Sequence, residues 1–403
     1  MKILVINGDC LTTNSSANLC HLSYINGMLD AGYEVDLISA GTDDKKVDNS
    51  MSIPAGVNCY TYNATSLYEK GSHALKNNAP AQSTEKPANR KIGLKSKIIR
   101  GVKSAIRSCY GIYGIYKPFI KKAIRFKSSI EYDYVISIAT PASSHYIAYK
   151  LIKKGNVKTK KWIQIWEDPW YGDIYGGYHT KKYLKAEKKL LKFADKICYV
   201  SPLTLENQKR YFPESADKMY WQPLPSYYRQ EEDVPLNKAL NYGYFGDYNP
   251  AARNLKPFYE AAKKAKIPVN ICGTPHTLFE STENIHIYPR LTLDKLKPIE
   301  DKTEVLIFLC NRAGGQIPGK IYQYSATKKL ILFILDGTNE EKQILKNYFS
   351  KFNRYIFCEN TTDDIIQAIN KISSNDYNDI NITALRCFKP KDIIENILLG
   401  KNG

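Results

Sequence analysis

Apolar blocks of four to seven residues recur along this chain, separated by longer stretches in which apolar residues return every three or four positions. Short continuous runs read as buried strands, and the 3.6-residue period reads as helix. Lys2 to Ile6 is predicted as the first strand, Ser16 to Ala31 as an amphipathic helix ended by Gly32, and Glu34 to Ser39 as the next strand. Tyr134 to Ala139, Trp162 to Trp166 and Lys196 to Val200 follow as strands. Thr140–Pro141 and Ser201–Pro202 are placed to cap the helices after the first and last of these. Trp221 to Pro225 and the acidic stretch through Glu231, Glu232 and Asp233 read as a linker. The alternation then restarts: strands at Asn241 to Phe245, Pro268 to Cys272, Asn284 to Tyr288, Glu304 to Cys310, Leu330 to Leu335 and Tyr355 to Cys358, with a helix from about Asn254 to Lys266.

This order predicts an α/β chain of two doubly wound, Rossmann-like domains, with the ligand in the crevice between the carboxyl ends of their strands. The expected boundaries are 1–225, 226–385 and a C-terminal helix in 386–403 that packs back on the first domain. A length of 403 residues suits two cores rather than one.

One stretch carries most of the chemistry. RAGGQIPGKIYQ, from Arg312 to Gln323, joins a buried strand to a helix. A glycine-containing loop there presents backbone N–H groups and the positive end of a helix to an anion. Lys320 falls in the first helical turn, where a packing helix has little use for a cation, and Pro318 is expected at an early helical position. The loop reads as an anion seat.

Composition narrows the setting. No apolar run approaches the roughly 20 residues of a membrane span. The opening MKILVINGD reads as a strand, not a signal peptide, because Asn7 and Asp9 interrupt it. Nine dispersed cysteines show neither C-x-x-C pairs nor zinc spacing, so reduced cysteines in a cytoplasmic protein and no metal site are expected. The net charge of +18 is concentrated: no acidic residue lies between Glu85 and Glu131, where lysines and arginines interleave with apolar residues. Leu94, Ile98, Val102, Ile106 and Tyr113 fit one helical stripe with the cations largely off it. This insertion, about 86–127, reads as a surface for anionic lipid, with a solvated insertion as the plainer alternative. No nucleic-acid motif accompanies the charge.

Several pieces together resemble a known family: MKILVIN, ISIATPASSHYIAYKL, WIQIWEDPW and AEKKLLKFADKICYVSP in the first half, and YGYFGDYNPAARNL, NICGTP and GQIPGKIYQY followed by KKLILFIL in the second. In their order and spacing the chain resembles the GT-B glycosyltransferases, specifically the large retaining, family 4-like group that contains many bacterial polysaccharide, capsule and lipopolysaccharide transferases. The resemblance implies a metal-independent transferase without a cofactor. Its donor would be a nucleotide-diphosphate sugar and its acceptor a lipid-linked or oligosaccharide glycan, with the enzyme peripheral at the inner face of the cell membrane.

On that resemblance Lys320 and Arg253 match the diphosphate-binding cations, with Arg312 a third candidate. Cations at those places stabilise charge developing on the leaving group. Gly246, Gly273, Thr274, Gln316, Pro318 and Gly319 would shape the donor loops. Asp168 and Glu167, at the end of strand WIQIW, would face the acceptor, and His145 would lie near the same edge; a lone histidine there is more often a satisfied structural residue. Ser15 and Ser16 stand where relatives carry a glycine pair and would still admit a ligand to the first helix. Two glutamates eight residues apart, common in the family, are here Gly315 and Gln323. Gln323 is expected to hydrogen-bond ribose hydroxyls without bringing charge. The loss of both carboxylates supports a second reading, a catalytically inactive GT-B scaffold in a glycan-assembly complex. A dinucleotide enzyme is disfavoured, since no G-x-G-x-x-G follows the first strand.

Overall fold

The computed structural model describes residues 1–41, 47–48, 51–63, 111–173, 180–227, 240–377 and 379–403. Most of the basic insertion, including the stripe from Leu94 to Ile106, lies outside the described residues, as does the acidic stretch at Glu231 to Asp233.

The first sheet is built from β1 (Lys2–Asn7), β2 (Glu34–Gly41), β3 (Val57–Asn63), β4 (Glu131–Ala139), β5 (Lys158–Trp166), β6 (Lys196–Tyr199) and β7 (Met219–Trp221) in the order β3-β2-β1-β4-β5-β6-β7. Every described pairing is parallel; Ile3 sits opposite both Val35 and Tyr134. Its helices are α1 (Ser16–Asp30), α2 (Lys117–Ala123), α3 (Ser143–Lys153), α4 (Lys181–Phe193) and α5 (Pro202–Tyr211). The second sheet contains β8 (Tyr242–Phe245), β9 (Val269–Cys272), β10 (Ile285–Tyr288), β11 (Val305–Leu309), β12 (Leu330–Leu335) and β13 (Ile356–Glu359), ordered β10-β9-β8-β11-β12-β13 and also parallel. Around it lie α6 (Lys256–Ala265), α7 (Leu293–Asp301), α8 (Lys320–Ser325), α9 (Asn339–Ser350) and α10 (Thr362–Ser373). The strand order reverses beside β1 and β8, which places the two ligand-binding crevices there.

Both sheets are covered on both faces, which is why their central strands read as unbroken apolar runs. One apolar cluster continues across the two domains, joining Cys20 and Leu224 to Ile317 and Ile321. The last helix, α11 (Pro390–Leu399), returns to α1. Tyr220 donates to the Ile397 carbonyl at 2.7 Å, and Lys196 to that of Leu398 at 2.7 Å.

Four local expectations are corrected. Helix α1 is not amphipathic but buried nearly all round, because α11 covers what would be its wet face. Thr140 and Pro141 do not cap α3, whose N-cap is Ala142; Thr140 turns its hydroxyl to Asp168 instead. Helix α8 begins at Lys320 with Gly319 as N-cap, so Pro318 precedes the helix. Strands β3 and β7 were unread: β3 is a half-exposed edge strand without an apolar run, and the start of the expected linker is β7's last residue, Trp221. The pair Ser201–Pro202 does occupy the N-cap and first position of α5.

Candidate functional site

A cavity of about 350 Å³ opens between the domains at the carboxyl ends of their strands. Asn14, Ser16 and Cys20 of the α1 end and Tyr227 form its near wall; Gly246, Arg253, Gly273, Arg290, Pro318, Gly319, Lys320 and Gln323 form the far wall. The walls are in contact, since a side chain on Gly319 would meet Cys20 Sγ at 4.0 Å and Leu224 at 3.0 Å. Gly273 is required by close approach: a Cβ there would lie 1.9 Å from the Gly246 carbonyl oxygen, so the loops after β8 and β9 touch backbone to backbone.

Three cations line this space. Lys320, the first residue of α8, places Nζ 3.5 Å from Glu300 Oε1 and keeps its side chain 25% exposed. Burial opposes its charge, but Tyr227 and Glu300 outweigh that and raise its pKa above the ordinary lysine value. Arg253 donates through Nε to Asn311 Oδ1 at 2.7 Å and through Nη1 to the Asp247 carbonyl at 3.3 Å. Arg290 was missed in the sequence. It follows β10 at its carboxyl end, 3.4 Å from Asp247 Oδ2. Its position after a strand was the available signal, but a surface arginine gives the same pattern. Thr274 holds Asp247 through its N–H at 3.1 Å and hydroxyl at 2.6 Å. Arg312 does not belong to this set: it is exposed and donates to the Pro250 carbonyl at 3.2 Å, outside the cavity lining.

The carboxyl edge of β5, outside the residues that line this cavity, carries carboxylates. Asp168, just past β5, accepts from Thr140 Oγ1 at 3.1 Å and from Gln316 Nε2 of the second domain; Gln316 also reaches Asp173 at 3.4 Å. Burial, then Glu167 and Asp173, push the Asp168 carboxyl up to about 6 against these hydrogen bonds. Glu167 Oε2 is 3.1 Å from Nε2 of His21, a fully buried residue of α1 that the sequence did not single out. Burial and then Glu167 and Asp168 raise the Cys20 thiol's pKa, while Lys320 lowers it, so the thiol feels both the carboxylates and the cation. Such a carboxyl, titrating near 6, can exchange a proton with a hydroxyl close to neutral pH.

His145 is not at this edge. It is buried, with Nδ1 2.7 Å from Ser137 Oγ and its ring 4.1 Å from Trp166, and burial depresses its pKa well below the usual value. It packs the first core. Ser15 accepts from the Asn18 N–H at 3.1 Å as the α1 N-cap, leaving Ser16 as the serine on the cavity wall.

The two departures from the family pattern have structural counterparts. Gly315 has φ +73°, and a Cβ there would lie 2.9 Å from Leu203 Cβ; its carbonyl accepts from Ser201 Oγ at 2.5 Å and Thr204 Oγ1 at 3.3 Å. Gln323 is fully buried and does not offer its amide to the cavity as expected. Its Oε1 accepts from the Tyr227 N–H at 2.5 Å, and its Nε2 donates to the Pro225 carbonyl at 3.2 Å.

No family model matches the chain, and no curated protein sequence is similar to it. Solved structures are. The chain superposes on sucrose-phosphate synthase from Thermosynechococcus elongatus with a TM-score of 0.55 at 12% identity, covering 100% of this chain and 94% of that one. A glycosyltransferase from Rickettsia africae ESF-5 gives 0.54 at 14%, over 98% and 92%. The lipopolysaccharide outer core galactosyltransferase WaaB gives 0.51 at 13%, over 99% of both chains. At these identities the likeness speaks to fold, and with two parallel Rossmann-like sheets facing one cleft the chain has the GT-B architecture.

Proposed function

We propose that this protein is a glycosyltransferase that moves a sugar from a nucleotide-diphosphate donor to a glycan acceptor. The observation that carries the reading is the convergence of Lys320, Arg253 and Arg290 on one interdomain cavity. A departing nucleoside diphosphate gathers negative charge, and fixed cations at a helix start and two strand ends stabilise that charge as it develops. Glu300 and Asp247 stand 3.5 Å from Lys320 and 3.4 Å from Arg290, and a diphosphate would compete with them for these two cations. Asp168 is assigned to the acceptor hydroxyl; it stands on the first domain, and burial pushes its carboxyl up to about 6.

The finer reading is a metal-independent, retaining transfer to a lipid-linked or oligosaccharide acceptor in bacterial cell-surface polysaccharide assembly, at the cytoplasmic face of the membrane. Among the described residues no helix is long and apolar enough to cross a membrane. Attachment is therefore assigned to the basic insertion and to α2, which carries Lys117, Lys121 and Lys122. The non-catalytic scaffold remains a second reading, favoured by the contacts that engage the Gly315 carbonyl with Ser201 and Thr204 and the Gln323 amide with Tyr227 and Pro225.

Incubation with a panel of nucleotide sugars separates the two. The transferase reading expects binding and slow hydrolysis of at least one donor, retained in EDTA. Lys320→Ala should lower turnover by on the order of 100-fold with the fold intact. No binding or hydrolysis of any donor would establish the scaffold instead, and a metal-reversible loss in EDTA would assign the diphosphate's charge to a cation the protein recruits.

A further inference from the structure

Positions 315 and 323 occupy the donor loop and the donor-side helix, yet every described hydrogen bond they make through the Gly315 carbonyl and the Gln323 amide crosses to the segment that belongs to, or leaves, the first domain. Ser201 and Thr204, at the start of α5, grip the carbonyl of Gly315. Three residues of the connecting segment, 225–227, are gripped at both ends by Gln323. Gln316 adds a third link through Asp168. We infer that Gly315 and Gln323 are fasteners between the domains: positioning residues that set the width of the cleft, with Ser201 and Thr204 as their counterparts, and not ligands of the donor.

Three physical facts support this assignment. First, no side chain can be added at 315 without displacing α5, because the clash is with Leu203 Cβ and, at 3.3 Å, with its backbone carbon. Second, the amide at 323 is chemically specific. The Tyr227 N–H needs an acceptor and the Pro225 carbonyl needs a donor, and a carboxylate supplies only the first. A glutamate would also place a charge in a site with no solvent exposure. Third, the segment so held delivers Tyr227 to the cavity wall beside Lys320. Fastening therefore acts on the cation through Tyr227.

The inference rests on the proposed transferase only where it speaks of donor turnover, so its test begins with the unliganded protein. Gln323→Glu and Gln323→Met are compared with wild type by hydrogen exchange of a peptide covering 222–227 and by small-angle scattering. A fastener predicts exchange at least tenfold faster and a larger radius of gyration in Gln323→Met, which offers neither partner, and a smaller gain in Gln323→Glu, whose carboxylate still accepts from the Tyr227 N–H. Binding of UDP and GDP is then measured on the same proteins by calorimetry. A ribose ligand predicts that Gln323→Glu binds nucleotide as well as wild type or better; a fastener predicts at least tenfold weaker binding. Ser201→Ala/Thr204→Ala removes the opposite fastener without touching the cavity lining. It should raise KM for the donor more than it lowers kcat, with Thr204→Ser restoring wild-type values when combined with native Ser201. Unchanged exchange and compactness in all variants would overturn the inference, whatever happens to nucleotide binding. If no nucleotide binds even to wild type, the transferase reading fails while exchange and scattering still decide the fastening.

Discussion

Replacing Gly315 with alanine tests the docking of the two domains by adding one carbon atom. The structure assigns two costs to that atom. A residue other than glycine held at φ +73° loses about 1–2 kcal/mol to its own carbonyl contacts. Forcing a Cβ to 2.9 Å from Leu203 Cβ costs about 1–3 kcal/mol more, since a packed neighbour must shift. Alanine also restricts the unfolded chain, which returns about 0.4–1 kcal/mol. The net loss is about 1–5 kcal/mol. Gly155 supplies the control: its φ is +68°, and a Cβ there meets nothing within 4 Å, so Gly155→Ala carries the backbone cost alone. The difference between the two variants in guanidinium denaturation isolates the contact with α5. For a domain of about 200 residues, 1 kcal/mol moves the melting temperature by about 2–4 °C, well within calorimetric reach. If Gly315→Ala is no less stable than Gly155→Ala, the loop is not pressed against α5 and the explanation for the missing glutamate fails.

Other parts of the molecule yield further tests. Arg290→Ala should weaken UDP binding by roughly tenfold, less than Lys320→Ala, because its side chain is 52% exposed and screened by solvent; the difference from wild type should shrink in high salt. Glu187 is buried and accepts from the Tyr171 N–H at 2.5 Å, and burial pushes its carboxyl up to about 8 against that hydrogen bond. Because its folded pKa lies above the unfolded value of about 4.3, its contribution to stability is complete below that value and is lost as pH rises through about 8. Glu187→Gln, which still accepts from Tyr171, should therefore flatten the decline in melting temperature between about pH 5 and 8; an unchanged decline refutes the assignment. Reversing Lys121 and Lys122 to glutamate should reduce sedimentation with anionic vesicles and leave neutral vesicles unaffected, since each lysine near such a surface contributes about 1 kcal/mol. Equal binding of wild type and variant would return that face to ordinary solvated surface.

Much of the fold can be read from the chain because its strands are buried on both faces. VLIFL, LILFIL and the apolar half of KTKKWIQIW have no amphipathic alternative, and the loops between them carry glycine and proline where helices start and stop. The edge strand β3 and the three-residue β7 escaped because an exposed or very short strand leaves no apolar run. The burial of α1 escaped for another reason: what covers it, α11, comes more than 350 residues later in the chain.

The candidate site divides the same way. Lys320 was visible because the loop after a parallel strand faces the crevice whatever its neighbours are, while Arg253, Gly246 and Gly273 were placed by the resemblance to the GT-B transferases. That local rule placed Asp168 as well. It could not place His145, which sits three residues from a loop yet turns into the core beside Trp166, nor Arg312, which turns outward to Pro250. The sequence by itself determined two doubly wound domains and the cations at their strand ends, because periodicity and loop chemistry are properties of neighbouring residues. Tertiary structure alone decided that Arg290 joins those cations, that Gln323 turns its amide to the connecting segment, and that Gly315 has no room for a side chain. Those outcomes depend on contacts between segments about 40 to 110 residues apart, and nothing in the local sequence encodes which atoms will meet.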